Sequence, residues 1–403
     1  FPYTTLFRST ATYFIDKDNY RNYAVISIVA DNEMLYGEDG IFVTGTAYDE
    51  WYLNGQEGEA PIPNFLGRGK GYEIPASFEY WDGDSSFAQE IGLRVAGGGT
   101  RYGRLRKLNL YARREYSGSN VFDIQLFPGV DNHKLAIGSN FINPLVMQLA
   151  KDRDVATYGT IRCNVFFNGE FYMQTSLIEK YDEKFFAEHY GVDEKEVLVV
   201  SGKDLEDGSE AVDEWKKIYD FLEENDLSDD KAYKAFGEMI DIQSYIDYMC
   251  IRTYIDDTDF NEKKNFYAWK TINKGDGYAD GRWRWALFDL DFMESNDYER
   301  YGLESEAQKN TFVIVGDFIG EQNPYEETLF TSLYRNADFR KRFKDSFIEI
   351  AETTFDYDKV VDCIEDLGSE ISDYTDTPLE YYLDFFRDRA GYIVQYMEEK
   401  FED

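Results

Sequence analysis

Residues 162–178 have the sequence RCNVFFNGEFYMQTSLI, and this stretch gives the clearest indication of the structure of the first part of the chain. Two mainly apolar runs, 162–167 and 171–178, flank the dipeptide Asn168-Gly169. Both central residues of a type I′ turn need positive φ, which asparagine and glycine tolerate better than other residues. The sequence therefore predicts a β-hairpin that turns at Asn168-Gly169.

Before this hairpin, short stretches of alternating polarity predict further strands. Ile91, Leu93 and Val95 alternate with other residues, and Leu108 and Leu110 do the same. Such a period of two is typical of strands that bury one face. A single helix is expected to interrupt them at about residues 140–150. The first 178 residues are therefore predicted to be rich in β-structure.

After residue 179 the apolar period changes to that of helices. One stripe repeats at i, i+3, i+4 and i+7, and a second repeats every three or four residues. The first is Trp215, Ile218, Tyr219 and Leu222, and the second is Phe339, Phe343, Phe347 and Ile350. A strand-rich insert at 265–290, with a turn at 273–277, breaks the helical pattern.

The last predicted helix begins at Thr377-Pro378-Leu379-Glu380, which reads as a capping box with proline at the first helical position. Its apolar stripe is expected to be buried and consists of Tyr382, Phe386, Ile393, Met397 and Phe401. The sequence as a whole predicts an α+β fold with two lobes, a β-rich one at 1–178 and a mostly helical one at 179–403 that carries an inserted β-hairpin. The junction lacks the composition of a free linker, so one continuous domain is expected, with its site in the cleft between the lobes.

Composition excludes several classes of function. The 403 residues contain 42 basic and 79 acidic residues, so the formal net charge is −37. Such a charge argues against binding to nucleic acid or to anionic lipid, and no apolar run is long enough to span a membrane. With two histidines, a zinc site or a histidine-dependent triad is not expected, and the three cysteines are expected to be buried thiols. The first residue is not Met, which fits removal of a leader peptide.

Acidic and amide residues cluster around the predicted insert. Asp259 and Asn265 precede its hairpin, and Asp289 and Asp291 follow the strand that ends at Phe288. Residues two apart in an extended segment point to the same side, so the last two carboxylates reach one rim. With the amide oxygen of Asn265 they offer the hard oxygen ligands that Mg²⁺ and Mn²⁺ prefer. Asp259 is placed to accept a proton from an attacking hydroxyl. The competing interpretation is a solvated acidic rim.

A second cluster is basic. Residues 96–107 read AGGGTRYGRLRK, so four cations fall within seven residues of a strongly acidic chain. Glycines after a strand allow a phosphate to approach the backbone closely, and the local charge favours an anion. No Gly-Lys-Ser/Thr follows, so this is not a Walker A loop. An ordinary loop between strands is the alternative.

Five segments in order resemble the spore-coat protein H (CotH) kinase-like family. They are ISIV and LYGEDGIFV within 26–43, GLRVAGG through Arg101 to KL within 92–108, FNGEFY at 167–172, EKYD at 179–182, and the run from Asp259 through Asn265 to the DLD at 289–291. The resemblance covers about two thirds of the chain, from residue 24 to 292.

This resemblance implies an atypical protein-kinase fold and transfer of phosphate from ATP to Ser or Thr of secreted or surface proteins, with Mg²⁺ or Mn²⁺. Carried over by position, it implies a catalytic base at Asp259. The implied nucleotide-binding residues are Arg101, Lys107, Glu179 and Lys180, and the implied metal ligands are Asn265, Asp289 and Asp291. The protein partner is expected to be basic, and the location bacterial, extracellular or at the cell surface.

The sequence also departs from kinase patterns and leaves alternatives open. It has no His-Arg-Asp, no Asp-Phe-Gly and no glycine loop of the usual spacing. One alternative is a structural or adhesive module of a coat or extracellular complex that keeps the fold without turnover, as a pseudokinase. Another is a glycosyltransferase whose Asp289-Leu290-Asp291 holds a metal and a nucleotide sugar. A glycosidase that uses paired acids is a further one.

Overall fold

A computed structural model describes residues 12, 23–83, 85–202, 205, 207–257, 259–261, 263–290, 298–313, 323–367 and 377–401. The chain divides into two compact units. The described parts of 1–139 and 160–180 form the first unit, and those of 140–159, 181–371 and 375–403 form the second. No helix among the described residues is both long enough and apolar enough to cross a membrane.

Seven strands of the first unit form a closed barrel. In chain order they are β1 Ala24–Ala30, β2 Ile74–Asp82, β3 Ser85–Val95, β4 Leu108–Tyr111, β5 Lys134–Ile137, β6 Thr160–Phe167 and β7 Glu170–Glu179. Around the barrel the order is β1-β2-β3-β4-β5-β7-β6. Neighbours are antiparallel except β1 and β6, whose parallel pairing closes the ring. Three short helices accompany them: α1 Asn32–Tyr36, α2 Thr46–Leu53 and α3 Arg114–Ser117.

The closed barrel corrects the predicted fold class. We expected a bilobal architecture like that of protein kinases, and this prediction is wrong, because a closed mixed barrel replaces the kinase-like sheet. Alternation predicted strands at residues 91–95 and 108–110, but it carries no information on which strands pair. The closing pair joins Ala24 to Cys163, so its partners are far apart in sequence. Closure removes the exposed edges that an open sheet would leave.

The interior of the barrel is apolar because alternate strand residues point inward. On β3, Ile91 and Leu93 are fully buried, and Leu108 and Leu110 on β4 lie in the same core. The predicted hairpin is confirmed: β6 and β7 are joined at Asn168 and Gly169, whose φ values are 49° and 85°. The Asn168 side chain also bonds the backbone of Ala30 on β1, which helps to hold the closing strand.

The second unit is mainly helical. Its helices are α4 Ile142–Leu149, α5 Glu183–Tyr190, α6 Glu210–Glu224, α7 Asp230–Phe236, α8 Ile242–Tyr254, α9 Thr328–Tyr334, α10 Ala337–Glu349, α11 Tyr357–Leu367 and α12 Leu379–Lys400. A turn of π-helix, Ile350–Thr354, follows α10. Helix α8 is buried along almost its entire length, so the loop that follows it starts from a fixed point.

A three-stranded sheet lies in this unit, with β8 Val197–Ser201, β9 Tyr267–Thr271 and β10 Arg284–Ala286 in the order β10-β9-β8. The predicted strands on either side of residues 273–277 pair as β9 and β10. Strand β8 was not predicted, although Val197–Ser201 is a short apolar run.

Helix α12 begins one residue later than predicted. Pro378 is its N-cap, with φ −69° and ψ 151°, and makes no side-chain capping bond. The prediction that Pro378 is the first residue inside the helix is therefore wrong, whereas the predicted buried stripe from Tyr382 to Phe401 is confirmed. The three cysteines are buried free thiols, as predicted, and burial raises the pKa of Cys163 and of Cys363 to about 12.

An ion pair at the base of β10 makes the stability of this sheet depend on pH. Asp280 accepts two bonds from the guanidinium of Arg284, at 2.9 and 2.7 Å. Burial acts to raise the pKa of Asp280, but the bonds from Arg284 and Arg282 outweigh it and lower that pKa to about 2.

Because this pKa lies below that of the unfolded chain, the contribution is present above about pH 4 and is lost as the pH falls to about 2. We expect Asp280→Asn to lower the free energy of unfolding at pH 7 by about 1–2 kcal/mol, a figure reduced for partial exposure. Urea unfolding of both proteins at pH 7, 4 and 3 checks this. The difference in the free energy of unfolding between the native chain and Asp280→Asn should become smaller towards pH 3. A difference that stays constant from pH 7 to pH 3 would contradict the role of the carboxylate.

Candidate active site

Helix α8 leads directly into the loop that carries the predicted base. Asp241 caps the helix start by accepting from the backbone N–H of Gln243 and of Ser244. Beyond the helix the chain turns sharply at Asp256, whose φ is 57°. Asp256 and Asp257 are both fully buried. Buried carboxylates need charge partners, so the loop is fixed at its root by ion pairs.

Asp259 and Asn265 are in direct contact. The amide nitrogen of Asn265 donates to Oδ2 of Asp259 at 2.9 Å and to its backbone carbonyl at 2.8 Å. Lys264 forms an ion pair with the other oxygen, Oδ1. The loop closes on itself through two backbone bonds between Asn261 and Lys264, each of 3.2 Å. Two residues that are six apart in sequence are thereby brought together on one side of the loop.

Asp289 follows β10 and has a φ of 56°, which few residues other than glycine adopt. The next residue, Leu290, is fully buried, and its N–H donates to Oδ1 of Asn143 at 3.0 Å. Asp291 lies outside the described residues. Among the residues that are described, no three His, Cys, Asp or Glu side chains converge as a metal site would require.

Arg252 joins the two segments, and sequence reasoning missed it. Its guanidinium is fully buried and donates to the carbonyls of Asn265 and Phe288, at 2.7 and 3.0 Å. It also pairs with the carboxylate of Asp257 at 2.5 Å. Burial acts to lower the pKa of Arg252, but the charges of Asp257, Tyr248 and Asp289 and the hydrogen bond to Asp257 together outweigh it and raise that pKa above its ordinary value. An arginine inside a buried helix was the available signal.

The basic cluster lies on the barrel. Gly97 has a φ of 91° just after β3, and Lys107 immediately precedes β4. Arg101 is buried, and its guanidinium donates to the carbonyls of Gly97, Gly67 and Val95 at 2.7–2.9 Å. Arg101 thus holds the glycine loop through its backbone. Lys107 is half-buried, and its aliphatic chain passes near the glycine loop at Gly97.

Glu179 and Lys180 lie at the end of β7. Glu179 is buried and accepts a bond from the amide of Asn132 at 2.8 Å. Strand register places Glu179 opposite Leu135, which is itself opposite Leu110. Glu179 is therefore level with Leu110, and Lys107 lies three residues before Leu110. Along the strand direction, Lys107 and Glu179 are thus roughly 10 Å apart. Lys180 is half-buried beside Glu179.

The structure thus groups the predicted site residues in two places. Within the second unit, Asp259 contacts Asn265, and Arg252 ties their loop to the segment of Asp289. Within the first unit, Arg101 and Lys107 accompany the glycine loop, and Glu179 and Lys180 lie at another level of the barrel. Their roles with nucleotide and metal stay predictions.

Comparison with known proteins assigns the chain to a family. A family described as CotH kinase protein matches residues 132–400, about two thirds of the sequence. The match includes Glu179, Asp259, Asn265 and Asp289, while Arg101 and Lys107 precede it. No curated protein sequence matches the chain. The segments within 26–43 and 92–108 also precede the matched residues. The match confirms the family that the resemblance indicated, and the chain belongs to the CotH kinase protein family.

Proposed function

We propose that this chain transfers the γ-phosphate of ATP to Ser or Thr hydroxyls of secreted or surface proteins, in a reaction that needs Mg²⁺ or Mn²⁺. The observation that carries the proposal is the contact between Asp259 and Asn265, 2.9 Å apart in a loop anchored by buried ion pairs. Family membership supports a kinase-like function in general. Phosphoryl transfer depends mainly on positioning and charge neutralisation, which a loop held in this way can supply.

Asp259 acts as the base in this proposal. Its carboxylate accepts the proton of the acceptor hydroxyl as the oxygen forms a bond to the γ-phosphorus and the bond to ADP breaks. The amide of Asn265 holds Oδ2, while Lys264 compensates the charge on Oδ1. The Lys264 side chain is 39% exposed, so it can swing away when an acceptor hydroxyl approaches.

The donor set suits a hard divalent cation. Because Nδ2 of Asn265 faces Asp259, its Oδ1 is the atom left to meet a cation. Asp289 would supply a carboxylate oxygen and Asp291 another. When bound, the cation would neutralise charge on the phosphates. The buried Leu290 and its bond to Asn143 fix the backbone next to Asp289 before any cation arrives.

The barrel residues are proposed to bind the nucleotide. Lys107 would contact the phosphates, since it adjoins a glycine loop that permits close backbone approach. Arg101 would contribute by holding that loop in shape. Glu179 and Lys180 would lie beside the adenine. The acceptor is proposed to be a basic protein outside the cell or on its surface, because a net charge of −37 attracts basic segments.

The proposal is tested by incubating the chain with γ-labelled ATP and Mg²⁺ or Mn²⁺, with the chain itself and a basic protein as acceptors. We expect label on protein Ser or Thr, lost on chelation of the metal and in Asp289→Ala. ATP bound without transfer would favour the non-catalytic module. Stabilisation by a nucleotide sugar and not by ATP would favour the glycosyltransferase. Either result would overturn the proposal.

A further inference from the structure

We propose that Arg252 is a positioning residue that sets the spacing between the loop of Asp259 and Asn265 and the segment of Asp289. The inference rests on the proposed function, because it concerns the same site. Arg252 lies in the last turns of α8 and is fully buried. It acts through backbone carbonyls and therefore need not touch nucleotide, metal or acceptor.

The contacts of the guanidinium link the two segments to each other. Nη1 donates to the carbonyl of Asn265 at 2.7 Å and to that of Phe288 at 3.0 Å. Nη2 donates to the carbonyl of Asp289 at 3.4 Å. One planar group therefore fixes the end of one segment against the beginning of the other. A shift of the guanidinium would move the Asn265 amide and the Asp289 carboxylate relative to each other.

Arginine suits this task better than lysine would. The guanidinium presents five donors in a rigid plane, whereas an ammonium is a compact charge on a flexible stem. Its charge is balanced by Asp257 at 2.5 Å, and the ring of Phe260 lies 4.4 Å from the guanidinium carbon. Asp257 also accepts from the backbone N–H of Asp259 at 3.1 Å, so the same ion pair reaches the predicted base.

The backbone conformation explains why such a support is needed. Asn265 and Asp289 have φ values of 52° and 56°, in the left-handed region that costs energy for residues with a side chain. Such conformations persist where surrounding contacts hold them. Arg252 bonds the carbonyl of both residues. These two of the three predicted metal ligands thus share a positive φ and one support.

The experiment compares Arg252→Lys with the native chain. Mn²⁺ affinity is measured by electron paramagnetic resonance in the presence of ATP, and hydrogen exchange is followed at residues 259–265 and 288–290. Arg153→Lys is the matched control. Arg153 is 13% exposed and pairs with Asp247 on the same helix α8, but it has no bond to either segment. Asp257→Asn is the second variant, used if Arg252→Lys does not fold.

For Arg252→Lys we expect Mn²⁺ binding about 10-fold weaker or more, as for other residues that orient metal ligands. Exchange should quicken in both segments together. Asp257→Asn should shift both readouts the same way by several-fold, and Arg153→Lys should change neither. Native affinity and unchanged exchange in a folded Arg252 or Asp257 variant would overturn the inference. If the native chain transfers no phosphate but the coupled exchange is seen, the proposed function fails while the positioning role stands.

Discussion

Replacing Asp259 by asparagine is expected to lower the rate of phosphate transfer by about 10²–10⁴-fold, the range for loss of a general base. Asparagine keeps the size of the side chain, and its carbonyl oxygen can still accept from the Asn265 amide. It cannot accept the proton of the acceptor hydroxyl. The loop should therefore remain folded and ATP should still bind, so the loss should appear in kcat and leave the affinity for ATP nearly unchanged.

The control for this variant is Asp345→Asn. Asp345 is 63% exposed on α10 and pairs with Lys341, four residues earlier on the same helix. Its replacement removes a carboxylate without touching the residues around Asp259, and the transfer rate should stay at the native value. Steady-state kinetics on the three proteins, with ATP affinity measured separately by calorimetry, makes the comparison. A native rate in Asp259→Asn would exclude Asp259 as the base.

The largest effect on stability is expected at Arg389, which is fully buried in α12. Its guanidinium donates to the carbonyls of Tyr254 and Thr253, at 2.8 and 3.1 Å, and to three acceptors in residues 307–311. It also lies 3.8 Å from the buried Asp256 carboxylate. Arg389→Met removes these donors and part of the charge balance, so we expect a loss of about 3–5 kcal/mol in the free energy of unfolding.

A neighbouring arginine provides the comparison. Arg387, two residues earlier, is 51% exposed and pairs with Asp384 and Asp388 on the same helix. Arg387→Met should leave the urea midpoint unchanged, since exposed pairs contribute little. Asp256→Asn combined with Arg389→Met should cost less than the two single changes together, because both remove one interaction. Equal midpoints for the Arg389 and Arg387 variants would show that the buried network does not hold the chain.

Local features of the fold could be predicted because their signals are local. The turn at Asn168-Gly169 follows from the φ that those two residues accept. The buried stripe of α12 follows from its spacing. Closure of the barrel could not be predicted, since the parallel pair of β1 and β6 depends on contacts across more than a hundred residues. The sequence pattern of a strand does not indicate which other strand it pairs with.

In the candidate site, too, the local features could be predicted and the contacts between distant residues could not. Sequence spacing predicted Asp259, Asn265 and Asp289 as site residues, but it did not show which contacts hold their segments together. Arg252 links the two segments by donating to backbone carbonyls. Because every residue has a backbone carbonyl, such contacts produce no recognisable sequence motif. Arg389 did leave a signal: it lies three residues after Phe386 and four before Ile393, on the buried stripe. A charged residue on such a stripe indicates a buried ionic network.

In the basic cluster, a clear local signal in the sequence has a different structural explanation from the predicted one. Four cations within residues 101–107 favoured an anion site, yet two of them bond the backbone of the protein itself. Arg101 donates to carbonyls around the glycine loop, and Arg106 donates to the carbonyls of Arg101 and Phe42 at 2.8 and 2.6 Å. Loop carbonyls outside the strand ladders need donors, and arginine supplies several from one side chain. Local charge alone does not separate this use from ligand binding.

The most direct measurement is a single-turnover reaction with γ-labelled ATP and Mn²⁺, in which the native chain and Asp259→Asn both hold saturating nucleotide. We predict that label reaches protein Ser or Thr in the native chain and that the rate falls at least about 100-fold in the variant. Equal rates in the two proteins would contradict the role of Asp259. A native chain that holds ATP and transfers no label would contradict the proposed transferase itself.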